Sequence, residues 1–292
     1  MRISVRVLLA MVLLVVASTG MTTAAQDDQF LLPDQSTAKA KELLAQAIDA
    51  LGGAAYLNMK DVTCTGKLGG FDHSGAMTGY ETFIDYEQPP FKERQENLPK
   101  RNIISIYNGD KGWDLDRGGV SDAPARDLAQ NKEDVQKDIF NILKNRTSEK
   151  DMVLRYGGED IIDGWQADWV EMVDSSNRTI RIAIARNSHL PVRKTVESRD
   201  PRTRTVVTEI EYYSNYHPLQ GIQTPFQITR ERNQTKIFQA FFEKCEYNAG
   251  LSDDLFTKAS LEQRWEQVGK KEREKEQKQK AKDDKDNQDD KF

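Results

Sequence analysis

Histidine and cysteine are scarce in this sequence, and their scarcity removes most metal and nucleophile chemistry. Three histidines and two cysteines occur in 292 residues. His73, His189 and His217 sit in turn-like stretches (GGFDHSG, NSHLP, NYHPLQG), without catalytic or metal-ligand spacing. Asp72-His73-Ser74 spells the letters of a hydrolase triad, but consecutive residues cannot aim at one another as relay partners must. No GxSxG, HExxH, CxxC, phosphate-loop or dinucleotide fingerprint is present. Carboxylates are numerous but scattered over strand faces that read as solvated. The expectation is a noncatalytic protein with no cofactor and no metal. A basic excess is also missing, since the formal charge is −5, which argues against a nucleic-acid partner.

Long apolar runs are absent except at the start. Arg2 and Arg6 precede LLAMVLLVVA, and Thr23-Ala24-Ala25 follows. A positive end, a short apolar core and small residues describe a secretory signal peptide over 1–25, which leaves no membrane anchor in the mature chain. Its removal takes two arginines and brings the charge to −7. Residues 26–35 read as a flexible N-terminus. At the other end, GKKEREKEQKQKAKDDKDNQDDKF has too little apolar surface to offset ordering entropy. Residues 263–292 therefore read as a charged tail, disordered or a frayed helix continuing from LEQRWEQV, and available to dock an envelope partner.

Between these ends, 36–262 reads as one domain with no Pro- or Ser-rich linker. STAKAKELLAQAIDALGG predicts a helix, with Ser36 as cap, Leu43, Leu44, Ala47, Ile48 and Leu51 on one face, and a glycine stop. Beyond it the period changes to that of strands. DVTCTGKL, MTGYETFIDYE, PFKERQEN and RNIISIY come first, and seven more follow from MVLRYGGED onward. One amphipathic helix interrupts them over 124–146, with Val135, Ile139, Ile142 and Leu143 in one stripe. About eleven strands exceed what a flat sheet carries without curling. The fold class is therefore mainly β with flanking helices: a strongly curved antiparallel sheet, or half-open β-barrel, lidded by helices. In YNGDKGW, Asn108-Gly109 is the dipeptide of a tight hairpin, and no helix follows to make a phosphate loop. Cys64 and Cys245 fall in the first and last strand segments, and an exported chain could either bond them or bury two thiols.

The order of segments resembles the LolA/LolB-like superfamily of periplasmic lipoprotein and lipid carriers, in its outer-membrane lipoprotein-sorting branch. The resemblance covers about residues 38–258 and rests on the ALGG helix end, PPFKERQE, YNGDKGW, GGEDIIDGWQADWVEMV, NSHLPVRK, YYSNYHPLQGIQTPFQI and YNAGLSDDLF. It implies a half-open barrel whose apolar cavity holds acyl chains, and YNGDKGW as a hairpin shaped by Gly109 and Gly112. The chain departs from the family's pattern in its charged strand faces, its charged tail and the lack of a recognisable lid arginine. Ile139, Phe140, Ile142 and Leu143 are the candidate lid face. Phe83, Tyr107, Trp113 and Trp169 are the candidate wall for a lipid or lipidated protein. The competing reading is a structural or partner-binding envelope protein whose barrel is filled by its own side chains.

Overall fold

The structure, a computed structural model, describes residues 31–72, 74–98, 103–200 and 202–269. The signal segment, most of the charged tail and His73 lie outside them. Helix α1 (Pro33–Leu51) begins with proline at its first turn, three residues before the predicted cap, so Pro33–Gln35 belong to the helix and not to a flexible N-terminus. Ser36 instead ties the helix to the sheet. Its hydroxyl accepts the Tyr156 N–H at 2.9 Å, while Thr37 donates to the Leu154 carbonyl at 3.0 Å. A short helix, α2 (Ala54–Leu57), follows.

Six strands then run as a meander: β1 (Val62–Phe71), β2 (Met77–Gln88), β3 (Lys92–Leu98), β4 (Ile104–Asn108), β5 (Lys111–Asp116) and β6 (Gly119–Asp122). After α3 (Ala125–Lys137) and α4 (Ile139–Lys144) come β7 (Val153–Ile162), β8 (Trp165–Val173), β9 (Thr179–Ala185) and β10 (Pro191–Arg199). β11 (Val206–Leu219), β12 (Ile222–Arg232) and β13 (Thr235–Tyr247) complete the set. The described residues thus form one 13-stranded antiparallel sheet, two strands more than expected. The additions are β5 and β6, where KGWDLD and GVSD are too short and too charged for periodicity to reveal.

Strands adjacent in sequence pair, except β6 and β7, and β1 pairs with β13. The chain's first and last strands therefore meet at the sheet's centre, and its edges are β6 and β7. Cys64 and Cys245 lie directly opposite one another in that central pair and are disulfide-bonded. The sheet curls into a half-open barrel, and the α3–α4 connection crosses its mouth from one edge to the other. Register shifts such as that at Thr65/Gly66 sharpen the curl. A Cβ on Gly66 would lie 2.2 Å from the Phe241 carbonyl oxygen. Gly66→Ala should consequently lower stability by about 2–3 kcal/mol, measured by urea denaturation, and a loss under about 0.5 kcal/mol would contradict the close approach.

The concave face is divided. Over β7–β10 it is aliphatic, with Val170, Met172, Ile180, Ile182, Ile184 and Val196 pointing inward. Leu43, Leu44 and Leu51 of α1 and Phe140, Ile142 and Leu143 of α4 pack on them and fill that half. The convex face of the other half carries a separate cluster in which Ile104, Ile106 and Leu115 are covered by Phe256 and Leu261. Leu261 belongs to a helix over 258–269, so the first residues assigned to the charged tail are helical. The reason is apolar burial, because Leu261 is fully enclosed and Trp265 lies against Gly119.

Candidate ligand cavity

The half of the concave face that α1 leaves open is a cavity of about 650 Å³, in the usual range for small-molecule sites. Strand alternation builds its floor. Phe83, Asp85 and Glu87 are successive inward positions of β2, and Leu68, Phe238, Ala240 and Phe242 supply apolar wall from β1 and β13. From β3 come Glu93 and Gln95, and from β4 Tyr107. The roof is α3, the junction residue Asp138 and the first residue of α4, with Asp134, Val135, Asp138 and Ile139 lining the cavity.

The expected single helix over 124–146 is two helices. Asp138 adopts extended backbone and its carboxylate accepts the Asn141 N–H at 2.8 Å, capping α4 and turning the chain. The break separates two functions. α4 buries its apolar face in the filled half, whereas α3 has no buried residue at all.

Polar contacts hold α3 down. Lys137 meets Glu209 at 2.6 Å, Arg178 meets Glu133 at 2.7 Å, and Lys194 donates to the Lys137 carbonyl at 2.5 Å. Gly112 brings the hairpin close beneath, since a Cβ there would approach Leu128 and Tyr107 at 2.9 and 3.0 Å. Gly109, with φ of 60°, is the residue that makes the turn; Gly112 is a strand residue that makes room for the roof. Amides of α3 should exchange at least about tenfold faster than those of α1 in native-state hydrogen exchange. Equal protection would mean that the roof is part of the core.

Charge is distributed in two groups. Glu211 accepts from Lys194 at 2.6 Å, from Arg230 Nε at 2.7 Å and from the Tyr213 hydroxyl at 2.5 Å. Burial opposes its ionisation, but Lys194 and Arg230 outweigh it and hold the carboxyl well below the usual range. Asp85, Glu87 and Glu93 form the second group and go the other way. They line the cavity half-buried, and desolvation pushes all three upward, Glu87 to about 8; neighbouring carboxyls add to it, Glu87 and Glu93 acting on Asp85, Glu93 and Asp138 on Glu87, and Asp134 and Asp138 on Glu93. Solvated strand faces, the expectation for these carboxyls, are therefore not where they lie. The period-two spacing of Phe83, Asp85 and Glu87 is visible in the chain, but nothing there says that this face turns inward.

No family model and no curated protein matches the sequence. Solved structures do match. A DUF1329 family protein from Desulfovibrio piger superposes with TM-score 0.55 at 14% identity, over 76% of this chain and 98% of that one. An outer membrane lipoprotein-sorting protein domain from Vibrio parahaemolyticus gives TM-score 0.51 at 10% identity, over 79% and 100%. The chain shares the fold of these two proteins. A LolA superfamily protein from Nitrosomonas europaea overlaps less, with TM-score 0.48 at 12% identity, over 76% and 99%.

Within this half-barrel, Phe83, Tyr107 and Ile139 line the cavity. Phe140, Ile142 and Leu143 instead join the core that fills the other half. Two wall candidates are corrected. Trp113 pairs across from Ile106, while Tyr107 pairs across from Gly112, so Tyr107 and Trp113 occupy opposite faces. Trp113 packs outside, under the C-terminal helix. Trp169 alternates with inward Val170 and faces outward, with Arg181 over its ring at 4.7 Å and its indole N–H on Asp160 at 3.1 Å. The two described histidines stay apart from the cavity: His189 is a turn residue and His217 meets the Phe226 ring edge-on at 4.6 Å. Asp72 and Ser74 close a turn, with the Ser74 hydroxyl donating to Asp72 at 2.6 Å. Among the described residues no group of three His, Cys, Asp or Glu is placed to hold a metal, and no helix is long and apolar enough to cross a membrane.

Proposed function

We propose that the protein is an exported, noncatalytic carrier of the cell envelope that shelters a lipid, a lipoprotein acyl chain or a similar apolar ligand, with the periplasm as its compartment. The observation that carries this reading is the cavity of about 650 Å³ beneath a roof helix that is held by polar contacts and buries no residue, in a fold shared with a lipoprotein-sorting domain. Phe83, Ile139, Phe238 and Phe242 give an acyl chain its contact surface. At about 0.8 kcal/mol per methylene, ten buried methylenes supply about 8 kcal/mol before ordering costs, enough for a stable complex. Native mass spectrometry and solvent extraction of the purified mature protein test it. Co-purifying lipid supports the reading; an empty cavity that also takes up no added lipid ends it.

The second reading, a structural or partner-binding envelope protein, is favoured by one observation: α1 and α4 fill half of the concave face. Deleting 270–292 separates the two. A carrier keeps its ligand, while an adaptor working through its tail loses its partner.

A further inference from the structure

We infer that the acidic wall of the cavity is a headgroup site, which takes the protonated amine of an amphiphile whose apolar chain lies along Phe83, Phe242 and Ile139. This rests on the carrier reading and adds the chemical class of the ligand. The first observation is register. Glu87 lies directly across from Glu93 on the inward face, an arrangement that like charges make costly unless something cationic sits between them. Asp85 is the next inward residue of the same strand; its Oδ1 is enclosed without a donor from the basic or amide side chains around it, and its side-chain partner is the neighbouring carboxyl of Glu87.

The second observation is that the cations nearest the wall make their direct contacts elsewhere. Lys92 pairs with Asp253 at 2.6 Å, and Lys194 and Arg230 both serve Glu211. Every other element around the wall adds negative or neutral groups. The roof brings Asp127 and Asp134 from α3 and Asp138 from the helix junction; β3 adds Gln95, β4 Tyr107 and β11 Tyr213. Glu93 feels Arg230 and accepts from Asn131 at 3.4 Å, but the carboxyls still outnumber the countercharge. Such a wall beside aromatic and aliphatic side chains fits an organic cation with an apolar body, because the ammonium satisfies the carboxylates while the rings accept the chain.

Protons must balance. Without ligand the clustered carboxyls retain protons, consistent with the upward displacement of Asp85, Glu87 and Glu93. When the ammonium enters, a carboxyl it pairs with ionises and its proton leaves to solvent. Affinity for the amine therefore rises between about pH 6 and 8, by up to about tenfold per pH unit for each proton released, while an alkylamine stays protonated throughout.

Calorimetric titration of the full mature protein with monomeric dodecylamine, dodecanol and laurate tests the inference. The amine should bind at least about tenfold more tightly than laurate at about pH 7.5, and its affinity alone should climb from about pH 6 to 8. In D85N/E87Q, whose replacements match the originals in size, that preference should vanish while dodecanol is still taken up; E93Q alone should weaken it. Equal or tighter binding of laurate, or a preference for amine that survives in a folded D85N/E87Q, overturns the headgroup site and leaves the carrier reading standing. Failure of all three chains to bind overturns both.

Discussion

Arg146→Met should destabilise the protein by about 3 kcal/mol, because it strips a buried carboxylate of its best partner. Arg146 is buried beneath the turn after α4. Its guanidinium reaches Asp174 at 3.0 Å, Glu149 at 3.0 Å and the Gln136 carbonyl at 2.6 Å. Asp174 is equally enclosed and also accepts the backbone N–H groups of Ser176 and Arg178 at 3.0 and 2.9 Å. Burial alone would raise the Asp174 carboxyl, but those amides and the two arginines hold it below its ordinary value. Arg178 remains at 3.4 Å in the variant, which places the loss near the lower end of the range for broken buried pairs. The network ties the α3–α4 connection to the β8–β9 turn, so the roof should loosen together with the fold. Urea denaturation with paired m-values measures it, and a loss under about 1 kcal/mol would mean that the pair is solvated.

Raising the pH from about 5 to 8 should destabilise the ligand-free protein, and D85N/E87Q should remove most of that slope. A carboxyl whose folded value lies above its unfolded value stabilises the fold while protonated, and the gain disappears as pH climbs through the folded value. Asp85, Glu87 and Glu93 are of this kind, and the window for Glu87 runs from 4.5 to about 8. Since the cavity admits water and the three groups share charge, the combined effect is about 1–3 kcal/mol, or roughly 2–10 °C in melting temperature. Asp174, Glu209 and Glu211 have the opposite sign: their lowered values stabilise the fold above the unfolded value and fail as pH falls through the folded one. Stability should peak at about pH 5, between the two groups. A melting temperature that is flat across this range, or unchanged in slope in the double variant, would show that the acidic wall is already solvated.

Strand existence was legible because a half-buried strand carries a period-two pattern that needs no partner to be seen. Eleven of the strands follow from it, and β5 and β6 escaped because four to six charged or glycine-rich residues show no period. The sense of each face was not legible. Trp113 and Trp169 looked like cavity wall by composition, but one residue of parity sends each to the convex side. The same parity brings Asp85, Glu87 and Glu93 inside, where residue type alone would have left them in water. A chemical signal for the helix break existed in Asp138, a capping residue ahead of IFNILK, yet the continuous apolar stripe from Val135 to Leu143 concealed it.

The sequence by itself determined a mainly β chain, an apolar α1 face and the hairpin at Gly109, since each depends on residues within a few positions of one another. Only the tertiary structure decided that the terminal strands meet at the sheet's centre, that α1 and α4 fill one half of the barrel, and that an acidic pocket remains in the other. Those outcomes depend on pairing between residues as distant as Cys64 and Cys245, 181 positions apart. Local pattern has no term for such pairing, because it is set by how the whole sheet curls.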